Sequence, residues 1–283
     1  MGKLLSDDRN MAEREFSFNR ADFEAVRRML HQLTGIRLAD SKDSMVYSRL
    51  ARRIRSLQLN SFQLYLDYLQ RHSAETEQFI NALTTNLTSF FREPHHFEIL
   101  ARFLTAHPAT KTIWCAASST GEEPYSIAMV VAETYGRFDA PVNIIATDID
   151  SQVLQTARKG VYDVGRIAGI SEQRCQQFFY RGKGKNTGKV KVVPELQKLV
   201  QFRQLNLLEP DWGIRGPIDI IFCRNVMIYF DKSTQLAILQ RMVSLLQPHG
   251  LYVAGHSENF ASASHLVKPA GQTIYLPNLT KAD

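Results

Sequence analysis

From residue 111 onward the chain alternates short apolar runs with amphipathic stretches, and this alternation constrains the fold more than any other feature. Residues 111–116 (KTIWCA), 142–147 (VNIIAT) and 218–223 (IDIIFC) are strand-length apolar runs rich in β-branched residues. Stretches at 122–135, 151–159 and 232–246 carry helical spacing, and runs at 250–254 and 272–276 close the chain as strands. Strand and helix in alternation predict an α/β fold, a doubly wound and mostly parallel sheet with helices on both faces. In such sheets, ligands bind where the loops leave the carboxyl ends of the strands.

Residues 20–85 follow a different rule. Phe23, Val26, Leu30 and Leu33 fall at helical spacing, and Gly35 stops that helix. Val46, Leu50, Ile54 and Leu57 form the apolar stripe of a second helix over 43–58, with Arg49, Arg52, Arg53 and Arg55 on its other side. On spacing alone those arginines are a solvated face. Ser61 and Ser73 stand where caps belong for helices over 62–71 and 74–85. No strand signal precedes residue 110. A length of 283 residues suits about two domains at ~150 residues each. The expected division is a frayed tail (1–19), a helical domain (20–85), a linker (86–92) and the α/β domain (93–283).

Composition narrows the class. With 44% hydrophobic and 22% charged residues, the chain is neither disordered nor a disulfide scaffold. No apolar run approaches the ~20 residues of a membrane span. Asp7, Asp8 and Arg9 stand where a secretory leader would be apolar, so a cytoplasmic protein is expected. Three cysteines, widely spaced, suit free thiols in a reducing compartment and offer no metal spacing. The net charge of +6 sits in one place: residues 181–203 carry seven positive and one negative side chain. There, a glycine-bearing turn from Arg181 to Lys189 is flanked by strand-like runs, which predicts an antiparallel β-subdomain inserted at about 178–205. The turn is not a phosphate loop, because Lys183 and Val190 stand where glycine and a hydroxyl residue are required.

Ala116 to Gly121, after the first strand, are small residues that let a ligand approach closely. No G-x-G-x-x-G is present, and Glu122 and Glu123 open the next helix, where their charge opposes a pyrophosphate. Asp148 ends the second strand, placed to bind a ribose, while Asp150 is available to cap the helix that follows. A nucleoside bearing a cation and no phosphate fits these features, which points to S-adenosylmethionine. Three more clusters stand out: residues 86–92, Asn206-Leu207 and residues 224–230. Phe90, Phe91, Val226, Ile228 and Phe230 read as core, but Arg92, Arg224, Asn225 and Tyr229 are polar groups in apolar runs and need partners.

The stretches 81–93 (NALTTNLTSFFRE), 119–126 (STGEEPYS), 147–150 (TDID), 222–231 (FCRNVMIYFD) and 255–259 (GHSEN) together resemble the CheR family, the chemotaxis receptor (protein-glutamate) O-methyltransferases. The resemblance runs from about residue 20 to 277. It implies a helical N-terminal domain, a class I methyltransferase domain and an inserted β-subdomain. It also implies methyl esterification of glutamates on receptors, with S-adenosylhomocysteine as product. By resemblance, Asn86, Thr88, Arg92, Glu123, Asp148, Asn206, Leu207, Arg224 and Asn225 contact the cofactor, and Arg92 and Tyr229 stand nearest the transferred methyl. Arg49, Arg52, Arg53 and Arg55 would face an acidic receptor methylation helix, which replaces the solvated-face reading. Gly182, Gly184, Gly188 and Lys191 would dock a receptor's C-terminal pentapeptide by strand addition. A monomer suffices, with neither metal nor nucleic acid nor membrane insertion. His95, His96 and His256 are expected to pack or support rather than act as a base, and Cys115 and Cys223 to be buried thiols on neighbouring strands. A nucleic-acid methyltransferase would carry an N-P-P-F-like loop where Arg224-Asn225-Val226-Met227 stands. A non-catalytic adaptor that binds S-adenosylmethionine is the other alternative.

Overall fold

The computed structural model describes residues 14–278. The chain forms two compact units, one up to Thr84 and one from Thr85.

Among the described residues the α-helices of the first unit are α1 (Arg20–Thr34), α2 (Asp43–Ser56), α3 (Phe62–Arg71) and α4 (Ser73–Leu83). Asn19 and Asp22 form a reciprocal capping box at the start of α1, and Gly35 ends it with φ 72°. Phe23, Val26 and Leu30 of α1 join Val46, Leu50 and Ile54 of α2 in one core with Tyr65, Leu69, Phe79 and Leu83. Two expectations need correcting. Helix α4 begins at Ser73 itself, with His72 as an N-cap that makes no side-chain cap bond. Residues 14–19 are not frayed. Phe16 is buried, Phe18 lies 4.3 Å from the Phe62 ring, and Arg14 pairs with Asp43 at 2.7 Å. The two phenylalanines anchor a segment that has no periodicity of its own; residues 1–13 lie outside the described residues.

The second unit opens with α5 (His95–Ala106), which the spacing argument left unassigned. Then follow β1 (Thr112–Cys115), α6 (Glu122–Tyr135), β2 (Asn143–Asp148) and α7 (Ser151–Lys159). Next come β3 (Val161–Asp163), α8 (Glu172–Phe178), β4 (Phe179–Arg181), β5 (Lys189–Val192), α9 (Pro194–Gln197) and β6 (Val200–Gln204). The chain continues with β7 (Ile218–Cys223), α10 (Lys232–Leu245), β8 (Leu246–Ala254), β9 (Val267–Gly271) and β10 (Ile274–Pro277). Seven strands form the main sheet in the order β6-β2-β1-β7-β8-β10-β9, parallel except around β10. Every residue of β7 is buried, as a strand covered on both faces requires. The order reverses at β1, between β2 and β7, so the chain's switch point lies there. Among the described residues no helix is long and apolar enough to cross a membrane.

The inserted subdomain is a three-stranded antiparallel sheet, β3-β5-β4, built from residues 161–192 rather than 178–205. Residues 200–204 belong instead to the main sheet, running parallel to β2. The alternation of an edge strand looks the same whichever sheet receives it, and β3 is too short to show a period.

Candidate active site

Parallel pairing sends the loops after β1, β2, β6 and β7 out at one edge, and the candidate residues collect there. The loop after β1 turns tightly at Ser119 (φ 48°) and Gly121 (φ 101°). A Cβ on Gly121 would stand 2.8 Å from the Tyr162 hydroxyl oxygen and 2.9 Å from Ala157 Cβ, so only glycine fits. This turn brings the Ser119 N–H to Asp148 Oδ2 at 2.8 Å, while the Asp150 N–H donates to Oδ1 at 3.0 Å. Burial pushes the Asp148 carboxyl up to about 6 against the opposing pull of these amides. Asp150 is the cap of α7, accepting from Gln152 and Val153 amides at 2.9 and 3.2 Å and from Asn86 Nδ2 at 2.8 Å. The Ser119 hydroxyl donates to the Asn86 carbonyl at 3.1 Å, which ties residue 86 to the same turn. The Leu205 N–H donates to the Asp148 carbonyl at 2.9 Å and brings Asn206 and the buried Leu207 alongside.

A buried charge cluster lies next to it. The Arg224 guanidinium donates to Glu123 Oε2 and to the Arg92 carbonyl, both at 2.5 Å, and lies 3.3 Å from Glu93 Oε2. Glu123 Oε1 accepts from the Cys115 thiol at 3.2 Å; burial holds that thiol far above its ordinary value and keeps it protonated. Glu93 Oε1 meets Asn225 Nδ2 at 3.4 Å and His256 Nδ1 at 3.1 Å. Burial would raise the Glu93 carboxyl, but the Arg224 charge and the His256 hydrogen bond outweigh it and hold it down at about 2. Phe91 (φ 52°) and Glu93 (φ 58°) are both left-handed, so Arg92 projects from a strained double bend. Its Nη1 donates to the Leu87 carbonyl at 3.0 Å. Glu258, also buried, accepts the amides of Asn225, Val226, Met227 and Gly255 at 3.0, 2.9, 2.8 and 2.6 Å. The first three bonds fix the loop that carries Asn225 and the half-buried Tyr229, and the fourth closes Glu258's own turn.

The sequence had singled out neither Glu93, Glu258 nor Arg166, and Glu122 only as a charge opposing a pyrophosphate. Glu93 and Glu258 lie inside motif stretches, which was signal enough to find them. Arg166 had none: it pairs with buried Glu122 and reaches the Thr88 carbonyl, 78 residues away, at 3.0 Å. His96 is buried against Thr273 at 2.8 Å, and burial drives its imidazole down to about 3, so it is a neutral packing group.

The substrate-facing expectations are rearranged. Arg49 is a tie across the end of α4, donating to the carbonyls of Ala82 (3.2 Å) and Thr84 (2.5 Å). Arg53 grips Glu75 with two bonds of 2.9 and 2.7 Å, and Arg55 pairs with Glu15 at 2.5 Å. Among the described residues neither Arg49 nor Arg52 has a carboxylate partner; Arg49 is taken up by the α4 carbonyls, while the exposed Arg52 reaches just the Ser48 carbonyl with its Nε. Gly182, Gly184 and Gly188 shape the turn between β4 and β5. A Cβ on Gly182 would overlap the Asn186 carbonyl at 2.1 Å, and Gly184 and Gly188 have φ 57° and 82°. Lys191 sits on the central strand, paired on both sides, so only its side chain is available to a peptide. The open edges are β3 and β4.

Comparison with known proteins places this arrangement. Residues 86–276 match the CheR methyltransferase, SAM binding domain, and residues 21–84 match the CheR methyltransferase, all-alpha domain. The chain belongs to the CheR methyltransferase family. It is 57% identical over 267 residues to Chemotaxis protein methyltransferase 2 of Pseudomonas aeruginosa, covering 93% of this chain and 95% of that one. It is 48% identical to the Chemotaxis protein methyltransferases of Salmonella typhimurium (93% and 92% covered) and Escherichia coli (94% and 93%).

The cofactor of this CheR methyltransferase is S-adenosylmethionine, and the residues suit it. Glu93 and Glu123 outnumber Arg224, so the cluster is net negative, as a site for a cation requires. Glutamates at the start of α6 replace the bare amides that would cradle a phosphate. Ser118 Oγ and Arg224 Nε are buried without a hydrogen-bond partner among the described residues. Such orphaned polar atoms are what a bound ligand can satisfy. Among the described residues no group of three or more His, Cys, Asp or Glu could hold a metal.

Proposed function

We propose that this methyltransferase esterifies glutamate side chains on the cytoplasmic methylation helices of methyl-accepting chemotaxis receptors, releasing S-adenosylhomocysteine. The observation that carries the proposal is the 57% identity, over nearly the whole of both chains, to a relative named as a chemotaxis protein methyltransferase.

When bound, S-adenosylmethionine supplies a methyl group on a sulfonium, an electrophile that an ionised carboxylate attacks directly. A glutamate with a pKa of ~4.3 is ionised at neutral pH, so no general base is needed. This agrees with the histidines: His96 is neutral and buried, and His256 is engaged with Glu93. Asp148 takes the ribose hydroxyls. Asn86, Thr88, Glu123, Asn206, Leu207, Arg224 and Asn225 line the rest of the cofactor. Arg92, aimed by its strained bend and held through its carbonyl by Arg224, orients the incoming carboxylate with its planar fork. No acceptor for the Tyr229 hydroxyl is found among the described residues, and it hydrogen-bonds the reacting groups in this scheme. Arg52 meets the acidic side of the receptor helix, and the open edge of β4 takes the receptor's C-terminal pentapeptide as an added strand. The enzyme acts as a monomer in the cytoplasm.

The test is transfer of labelled methyl from S-adenosylmethionine to a receptor cytoplasmic fragment, with Arg92→Ala beside wild type. Label lost in mild alkali and absent with the variant supports a glutamyl ester made at this site. Alkali-stable label means amine methylation and overturns the proposal.

A further inference from the structure

Arg166 belongs to the turn Val164–Ile167, just after β3, outside the seven-stranded sheet. Its Nε donates to Glu122 Oε1 at 3.1 Å, its Nη2 also contacts that oxygen, and the same Nη2 donates to the Thr88 carbonyl at 3.0 Å. Glu122 is fully buried as the first residue of α6, and its other oxygen accepts the Thr120 hydroxyl at 2.6 Å. Nearby, the Tyr162 hydroxyl of β3 donates to the Thr120 carbonyl at 2.8 Å. The Phe90 ring meets Tyr162 and Phe179 edge-on at 5.2 and 5.5 Å. Residues 88–90 and the turn 120–122 are therefore held from behind by the inserted sheet: Tyr162 bonds the turn and packs on Phe90, and Arg166 hydrogen-bonds both segments.

We propose that Arg166 is a positioning residue that locks the Thr88 segment and the start of α6 into the register that S-adenosylmethionine requires. One planar fork reaches a carboxylate and a carbonyl that are far apart in sequence, a geometry a lysine ammonium cannot reproduce. Glu122 needs a cation because it is buried, but neutralising Glu122 does not require contact with Thr88. The inference rests on Thr88 and the 118–122 turn lining the cofactor.

The test is calorimetric titration of S-adenosylhomocysteine into the full chain, with Tm measured for each variant. Arg166→Met is expected to lower Tm and to weaken binding about tenfold or more, the scale of a lost hydrogen bond to a charged group. Arg166→Met combined with Glu122→Gln removes the unpaired buried charge, so it recovers Tm while binding stays weak. Arg166→Lys keeps Tm near wild type and recovers only part of the affinity. Wild-type affinity in the double variant overturns the proposal, because Arg166 then only neutralises Glu122. Asp148→Asn, measured alongside, separates the site from this residue: weak binding there with wild-type binding in Arg166→Met refutes the role of Arg166 alone.

Discussion

Each unit sets an arginine against a buried glutamate, and the two arrangements differ in whether the charges close. In the helical unit, Arg53 meets both oxygens of Glu75, and the Tyr65 hydroxyl donates to the same carboxylate at 3.0 Å. One cation faces one anion, and the carboxylate is fully engaged. In the methyltransferase unit, Arg224 faces two carboxylates and a carbonyl, its Nε has no hydrogen-bond partner among the described residues, and the cluster keeps an excess negative charge. A closed pair fixes a fold, whereas a cluster over-supplied with one sign holds a place for a ligand of the other.

Substituting the two arginines is the strongest way to break that contrast. Arg224→Met strands two buried carboxylates and is expected to cost about 3–5 kcal/mol and to remove S-adenosylhomocysteine binding. Arg53→Met strands only Glu75, beside a partly open edge, and is expected to cost about 1–3 kcal/mol with affinity unchanged. Denaturant unfolding and ligand titration on both variants decide it; equal loss of affinity in both would erase the distinction.

The open cluster also has an acid limit of its own. The folded carboxyl of Glu93, held at about 2 from an ordinary 4.5, contributes stability above pH 4.5 that drains away as pH falls toward 2. Glu93→Gln should flatten that limb by about 2–3 kcal/mol. Stability measured against pH for both proteins checks this, and parallel curves would contradict it.

Asp148 runs in the opposite sense. Its folded carboxyl is raised to about 6, so ionising it costs stability as pH rises through that value. The ionised form is the better acceptor for ribose hydroxyls. Wild-type affinity for S-adenosylhomocysteine should therefore tighten about tenfold between about pH 5 and pH 7. Asp148→Asn should bind weakly at both pH values with no such slope.

The smallest effect is expected at Arg52. Arg52→Ala should leave Tm and cofactor affinity unchanged, within about 0.5 kcal/mol, while raising KM for a receptor fragment severalfold. An unchanged KM would leave the first unit without an identified substrate-facing arginine.

Much of this architecture was legible beforehand where a local period or a local turn demanded it. The strands at 112–115, 143–148 and 218–223, and helix Glu122–Tyr135, follow the apolar spacing closely. The division of labour inside Asp148-Ile149-Asp150 was visible as two acids at a strand end, and Asp150 is the helix cap. Other features had no local signature. Residues 200–204 alternate like a hairpin strand yet pair with β2, and Arg49 and Arg53 look exposed on a helical wheel yet tie α2 to α4.

The sequence by itself determined the alternation that makes a parallel sheet, the small-residue loop after β1, and the acids that exclude a pyrophosphate. Those features depend on neighbours within a few residues, where periodicity and turn chemistry act. The tertiary structure decided which charges face one another. Arg224 finds Glu123 across 101 positions, Glu93 finds His256 across 163, and Arg166 joins Glu122 to Thr88. Electrostatic pairing depends on distance in space and on burial, and neither can be read from position in a chain.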